Sequence, residues 1–181
     1  QIGFAIPKFN QIGGYLKYSA PLTPNSLIRW ITDSSDRYMV SYFLGLSQVG
    51  IYSASYAIGN LIQMFITPIQ FILFPELSRL FDEGKNDEVK VYLSNSMKYF
   101  LLIAIPAVFG LSALAKPMLK ILTTQEFISG SVIIPFIALS GLLAGVFQIV
   151  INITHLVKKT KFNLYIHIFA ALLNIIFNFL L

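Results

Sequence analysis

Four charged side chains crowd the stretch RWITDSSDRY: Arg29, Asp33, Asp36 and Arg37. Immediately after them, Tyr38 to Pro75 carries no charged residue. A guanidinium can grip a phosphate oxyanion with two parallel hydrogen bonds, and a carboxylate can hold that guanidinium in place. Helix residues advance by about 100° each, so with Arg29 at zero, Asp33 falls near ~40°, Asp36 near about −20° and Arg37 near ~80°. On a helix all four therefore share one face. Inside a bilayer each charge costs about 2.5–3.5 kcal/mol even on the mild insertion scale, so residues kept there usually mark a substrate or ion path. The bland alternative is a self-neutralising ladder, because Arg29–Asp33 and Asp33–Arg37 are both i,i+4 pairs. A phosphate displacing Asp33 from Arg29 would reconcile the two.

Whether these charges stand in water or in lipid depends on the elements that carry them. The 181 residues are 56% hydrophobic and only 12% charged, with a mean hydropathy of +0.72. A soluble domain averages about 25% charged residues, so the composition points to a membrane protein. The net charge of +5 then reports orientation rather than nucleic-acid binding, and no basic patch interleaves with aromatics as a nucleic-acid site requires. With no cysteine, disulfides, thiolate catalysis and cysteine-ligated metals are excluded. No signal peptide is visible. The chain opens on Gln1 and closes on IIFNFLL, which reads as a fragment of a longer polypeptide.

A spanning helix needs about 20 mostly apolar residues. Runs over 98–115, 131–157 and 162–181 meet that length directly. The uncharged run over 38–75 is too long for one span, and Gly45, Ser47 and Gly50 mark a turn within it. That leaves a span over 48–75, with Tyr38–Leu44 as the tail of another. Seven residues cannot cross. Extending backward to Pro24 at the first helical position, behind Thr23 as N-cap, gives a complete helix and places the charged stretch near mid-membrane; the alternative is a re-entrant segment over 38–44 with residues 29–37 in water. The expectation is an all-α polytopic membrane protein with five spans over about 19–44, 48–75, 98–115, 131–157 and 162–181. A short amphipathic elbow over 76–97 follows the second span, with Asn86 as the cap of its helix and Asp87 and Glu88 in the first turn. Nine Lys and Arg residues fall on the side of residue 1, and only Lys116 and Lys120 on the other. By the positive-inside rule the residue 1 side is cytoplasmic.

Further polar stripes follow helical spacing. Tyr52, Tyr56, Asn60, Gln63, Thr67 and Gln70 fall within about 80° on the second span. Gln148, Asn152 and His155 align on the fourth beside Gly141 and Gly145, and Asn163, His167, Asn174 and Asn178 on the fifth. The third span has no such stripe. These faces either line a wet cavity or glue helices together through amides and small residues. Pro68 is the hinge candidate, with a static kink as its alternative.

The run SSDRYMVSYFLGLSQVGIYSASYAIGNLIQ, followed by PIQFILFPELSRLFDEG and a polar elbow, resembles the polysaccharide transporters. These are the lipid-linked oligosaccharide flippases of the multidrug/oligosaccharidyl-lipid/polysaccharide exporter superfamily. The resemblance covers nearly the whole chain and implies most of the second lobe of a two-lobed exporter. It implies a substrate of polyprenyl-pyrophosphate-linked glycan, moved across the bacterial or archaeal cytoplasmic membrane by alternating access for O-antigen, capsule or exopolysaccharide biosynthesis. On that basis Arg29 and Arg37 meet pyrophosphate or anionic sugar. Asp33 and Asp36 hold those arginines or take part in coupling to a cation, H+ or Na+, and Tyr52, Tyr56, Asn60 and Gln63 contact sugar hydroxyls. Membrane lipids and a polysaccharide polymerase with its export machinery are the implied partners.

Two other functions stand beside this one. A cation-coupled multidrug exporter of the same superfamily would more typically expose unpaired carboxylates and aromatics, against which two arginines weigh. A membrane-embedded glycan polymerase or ligase would need a long loop bearing acid/base groups. The loops here are short, and neither a nucleophile–base set, a metal cluster nor a cofactor site is legible.

Overall fold

The computed structural model describes residues 34–157 and 161–180. Arg29, Asp33 and the expected helix start at Thr23–Pro24 lie outside the described residues. No strand occurs among the described residues, and the chain is the expected all-α, multi-pass membrane protein. Helix α1 is described over residues 34–44. It is followed by α2 (Leu46–Gly59), a 3-10 turn (Asn60–Ile62), α3 (Gln63–Asp82), α4 (Asn86–Leu122), a 3-10 segment (Gln125–Val132), α5 (Ile134–Leu156) and α6 (Lys161–Leu180). They fall into two compact units: residues 37–163 form one, and the described residues 34–36 and 164–180 belong to the other.

Glycines set the breaks. Gly45 takes φ 90°, a conformation that costs other L-residues steric strain, and α1 ends there. Gly84, at φ 76°, ends α3. The Lys85 N–H bonds the Leu80 carbonyl at 2.9 Å and the Gly84 N–H bonds that of Phe81 at 3.0 Å. This pair of bonds is a Schellman motif, which satisfies carbonyls the helix end would otherwise leave open. The motif also corrects the expected cap of the next helix. Lys85 already occupies the N-cap position, so Asn86 is the first helical residue and caps nothing. Asp87 and Glu88 do stand in the first turn, where the helix dipole favours them.

Residues 76–97, expected as a separate elbow, are divided between two long rods. Residues 76–82 complete α3, and 86–97 run without a break into the rest of α4. The α2–α3 rod and α4 are 37 residues each. At 1.5 Å per residue each is about 55 Å long, against a hydrocarbon core of about 30 Å. Substantial lengths of both rods therefore lie beyond the core, and their polar ends need no separate surface helix to carry them. Helix α5, with 23 residues, is also long and apolar enough to cross. Pro135 sits in its first turn, where a missing N–H leaves no bond unmade.

The core of the larger unit is built from one stripe on each of three helices. Helix α3 gives Ile66, Leu73, Leu77 and Leu80, α4 gives Phe100 and Ala104, and α5 gives Ala138, Leu142, Ile149 and Leu156. Steps of three, four and seven keep each stripe on one face. In hydrocarbon there is no solvent-driven gain from burying leucine, so close packing and small residues must supply the attraction. Glycines on α2 and α5 provide it. A Cβ at Gly145 would stand 2.2 Å from the Phe100 ring, and one at Gly59 2.7 Å from Ile137. Phe71, Leu102, Phe109 and Phe136 point outward and are exposed. Helix α4 thus has an exposed apolar face over its later turns, together with an inner face that helps build the core.

The hairpin tip between α3 and α4 is held by charge. Arg79 bonds both Glu76 and Glu83, and Lys85 reaches Glu83 at 2.8 Å. The Lys85 hydrogen bond, seconded by Arg79, holds the Glu83 carboxyl below its ordinary 4.5, and Glu83 in turn raises Lys85. A depressed carboxylate contributes stability that is complete above its unfolded value and lost as pH falls through the folded one. These exposed pairs are screened and individually weak. Amide exchange at Lys85 and Asn86 should therefore speed up beyond its intrinsic pH trend only below the ordinary glutamate range. Unchanged protection there would show that the Schellman bonds alone fix the turn.

Candidate functional site

The sequence-predicted charges are described from Asp36 onward. In the smaller unit, Ser35 Oγ donates to Asn174 Oδ1 at 2.8 Å, and Asn174 Nδ2 donates to Asp36 Oδ1 at 3.3 Å. One amide on α6 thereby fastens two neighbouring groups of α1. Asn174 belongs to the polar stripe of the last helix, but nothing in its spacing points to Ser35 or Asp36. Such a pairing across 138 residues leaves no local signal.

In the larger unit, Arg37 is exposed and its guanidinium carbon lies 5.6 Å from the centre of the Tyr56 ring. The bend at Gly45 makes this meeting possible by carrying α2 back past α1. Tyr52 and Tyr56 are one helical turn apart, and their rings lie 5.9 Å apart at 35°. A guanidinium over an aromatic face gains about 0.5–1 kcal/mol when exposed and more when desolvated. A guanidinium lying over a ring in this way can still use its hydrogen-bonding edge for an oxyanion. Asn60 follows one turn beyond Tyr56, half-buried at the 3-10 turn, and its side-chain amide makes no hydrogen bond among the described residues. Together these groups offer a cation, two aromatic faces and an amide along one side of a transmembrane helix.

Gln63 points elsewhere. Its Nε2 donates to the Gly141 carbonyl at 3.2 Å, and its Oε1 accepts from Gln148 at 2.9 Å. Further along, Asn152, which is 4% exposed, donates to Gln70 Oε1 at 3.1 Å. The facing amide stripes of α3 and α5 are thus packing glue at these four residues, worth about 0.6 kcal/mol per bond in lipid. The placement of Gln63 separates it from the expected sugar-contacting set. Gln70 Nε2 is buried with no hydrogen-bond partner among the described residues.

Pro68 lies on an exposed face of α3, and the helix continues through both it and Pro75. Two features upstream favour a bend: the 3-10 turn at Asn60–Ile62, and the Thr67 hydroxyl bonding back to the Gln63 carbonyl at 3.0 Å. His155 meets the Asn163 amide at 3.3 Å and the edge of Phe74. Asn163 also accepts from Thr154 at 2.6 Å. These contacts join the end of α5 to the start of α6. No group of three or more His, Asp or Glu side chains that could hold a metal occurs among the described residues.

Comparison with known proteins agrees with this architecture. Residues 5–132 match the family model described as "Polysaccharide biosynthesis protein". The chain is 22% identical over 97% of its length to a probable low-salt glycan biosynthesis flippase, Agl15, of Haloferax volcanii, covering 37% of that protein. It is 26% identical over 68% of its length to the succinoglycan biosynthesis transport protein ExoT of Rhizobium meliloti, covering 25% of it. An uncharacterized membrane protein of Methanocaldococcus jannaschii, MJ1068, is 23% identical over 81% of the chain, which covers 29% of it. The chain thus spans between a quarter and two-fifths of the curated relatives it matches. No solved structure matches it.

Proposed function

Because this chain belongs to the polysaccharide biosynthesis protein family, we propose that it is part of a flippase for polyprenyl-pyrophosphate-linked oligosaccharide, working by alternating access in the cytoplasmic membrane. The observation that carries the reading is the exposed Arg37 stacked on Tyr56, with Tyr52 beside it, on helices of a multi-pass membrane protein. In this reading Arg37 takes the pyrophosphate, for which a planar fork is the best match. Tyr52 and Tyr56 lie against the apolar faces of sugar rings, and Asn60 bonds hydroxyls. Asp36, fastened by Asn174, restrains the same segment or responds to a coupling H+ or Na+. Pro68 is the hinge about which α3 bends, and the residue 1 side faces the cytoplasm. The protein is a transporter that hands its glycan to a polymerase and export machinery.

Flipping in proteoliposomes tests this directly. The full-length protein should carry a fluorescent pyrophosphate-linked glycan lipid between leaflets, read by quenching of the outer leaflet, while empty vesicles should not. Transport of a cationic dye with no movement of the glycan lipid would overturn the reading in favour of a drug exporter.

A further inference from the structure

The outer side of the α3–α4 hairpin carries an open groove of about 310 Å³. Its α3 wall is apolar: Ile69, Ile72 and Leu73. Its α4 wall is Tyr92, Asn95, Ser96 and Tyr99, a stripe at i, i+3, i+4 and i+7 that brings two phenols, an amide and a hydroxyl to one face. One wall therefore suits hydrocarbon, and the other suits a hydrogen-bonding head group. Lys98 lies on the neighbouring face of α4, exposed, and forms no ion pair among the described residues, whereas Lys90 is paired with Asp87. The stripe itself holds no carboxylate. The nearest acidic side chains on α4 are Glu88 and Asp87, a full turn or more beyond Tyr92. On α3 the carboxylate one turn beyond Ile72 is Glu76, which is paired with Arg79, so Lys98 is the charged side chain beside the α4 wall that has no ion-pair partner among the described residues.

We infer that this groove is a site for an anionic membrane phospholipid, held with an acyl chain along Ile69, Ile72 and Leu73 and its phosphate-bearing head among Asn95, Ser96 and Lys98. The site belongs to the hairpin alone, uses none of the groups at Arg37 and Tyr56, and stands or falls apart from the flippase reading. Its level along the rods supports a lipid rather than a water-soluble anion. The α3 wall lies within the uncharged run that ends at Pro75, while the α4 wall begins at the polar end of its helix, so the groove straddles the depth at which Tyr and Lys side chains sit in membranes. An amphipathic slot at that depth matches a molecule whose own polarity changes at the same depth.

Native mass spectrometry of the purified full-length protein with added phosphatidylglycerol or phosphatidylcholine tests the inference. The wild type should retain one phosphatidylglycerol several-fold more than phosphatidylcholine. Lys98→Gln should remove most of that preference while leaving total lipid binding, and Ile72→Trp, which fills the groove, should lower retention of both lipids. Equal retention of the two lipids by the wild type, or undiminished preference in Lys98→Gln, would overturn it. A cysteine introduced by Ser96→Cys should also react with a membrane-permeant maleimide and be protected by phosphatidylglycerol. Protection in lipid-free detergent would instead show that another part of the polypeptide covers the groove, and would equally overturn it.

Discussion

Gly145→Ala should lower the thermal unfolding midpoint of the protein in detergent, by an amount corresponding to about 1–3 kcal/mol. The added methyl would stand 2.2 Å from Phe100 Cζ and 2.7 Å from Cε1. Phe100 is completely buried, so its ring has no solvent side to swing toward, and relief must come from moving α4 away from α5. That movement loosens the rest of the stripe, including Ala104, Leu142 and Ile149. Gly110 is the matched control, because a Cβ there meets nothing within 4 Å. On helix propensity alone Gly110→Ala should stabilise, by up to about 1 kcal/mol. Adding Phe100→Leu to Gly145→Ala should recover part of the loss, since the shorter side chain vacates the space the methyl needs. Gly59→Ala should be harder to rescue, because the Ile134 carbonyl lies 3.2 Å from the new atom as well as Ile137. If Gly145→Ala and Gly110→Ala behave alike, the helices are not packed at the separation described.

The second large effect concerns transport. On the proposed reading, Arg37→Ala should cut glycan-lipid flipping roughly ten- to a hundredfold, the equivalent of one charged hydrogen-bonding partner at about 1.5–3 kcal/mol. Protein level and melting should barely change, because the arginine is exposed and its stacking on Tyr56 is worth little. Arg37→Lys should keep the charge but lose the bidentate fork, and so recover only part of the rate. Tyr56→Phe preserves the ring under the guanidinium and should be mild, whereas Tyr56→Leu should approach Arg37→Ala. A different order would result if the charges served only to neutralise one another: Arg37→Ala would then lower protein stability, and the rate per folded molecule would hold.

Much of this architecture was legible because its determinants are local. Gly45 and Gly84 stand where the helices break, since only a left-handed conformation turns the chain there. Length and hydropathy gave the membrane character, and 3.6-residue spacing gathered Gln63, Gln70, Gln148 and Asn152 into stripes before any partner was known. What spacing cannot reveal is which stripe faces which. Alignment with Tyr52 and Tyr56 groups Gln63 with them, and spacing gives no hint that its amide bonds Gly141 and Gln148 on α5, beyond the 3-10 turn at Asn60–Ile62. The region expected as an elbow differs for a related reason. Charged residues over 76–97 signal departure from the hydrocarbon, but departure does not require a bend, and α4 carries them on the same rod as its apolar turns. The 3-10 segment Gln125–Val132 has no legible pattern because its contacts are long-range, to α2 and α4, and a Cβ on Gly130 would collide with the Ser55 hydroxyl of α2.

The Schellman turn at Gly84 has a mechanical consequence. It joins two rods, each about 55 Å long, through three residues with little slack. The hairpin end is therefore a lever arm. A tilt of about ten degrees at mid-rod would sweep the tip by roughly 5 Å, with Glu83 and Lys85 travelling together. A small change of angle where Gly59 and Gly145 hold the helices close would therefore be read out as a larger displacement at the hairpin tip.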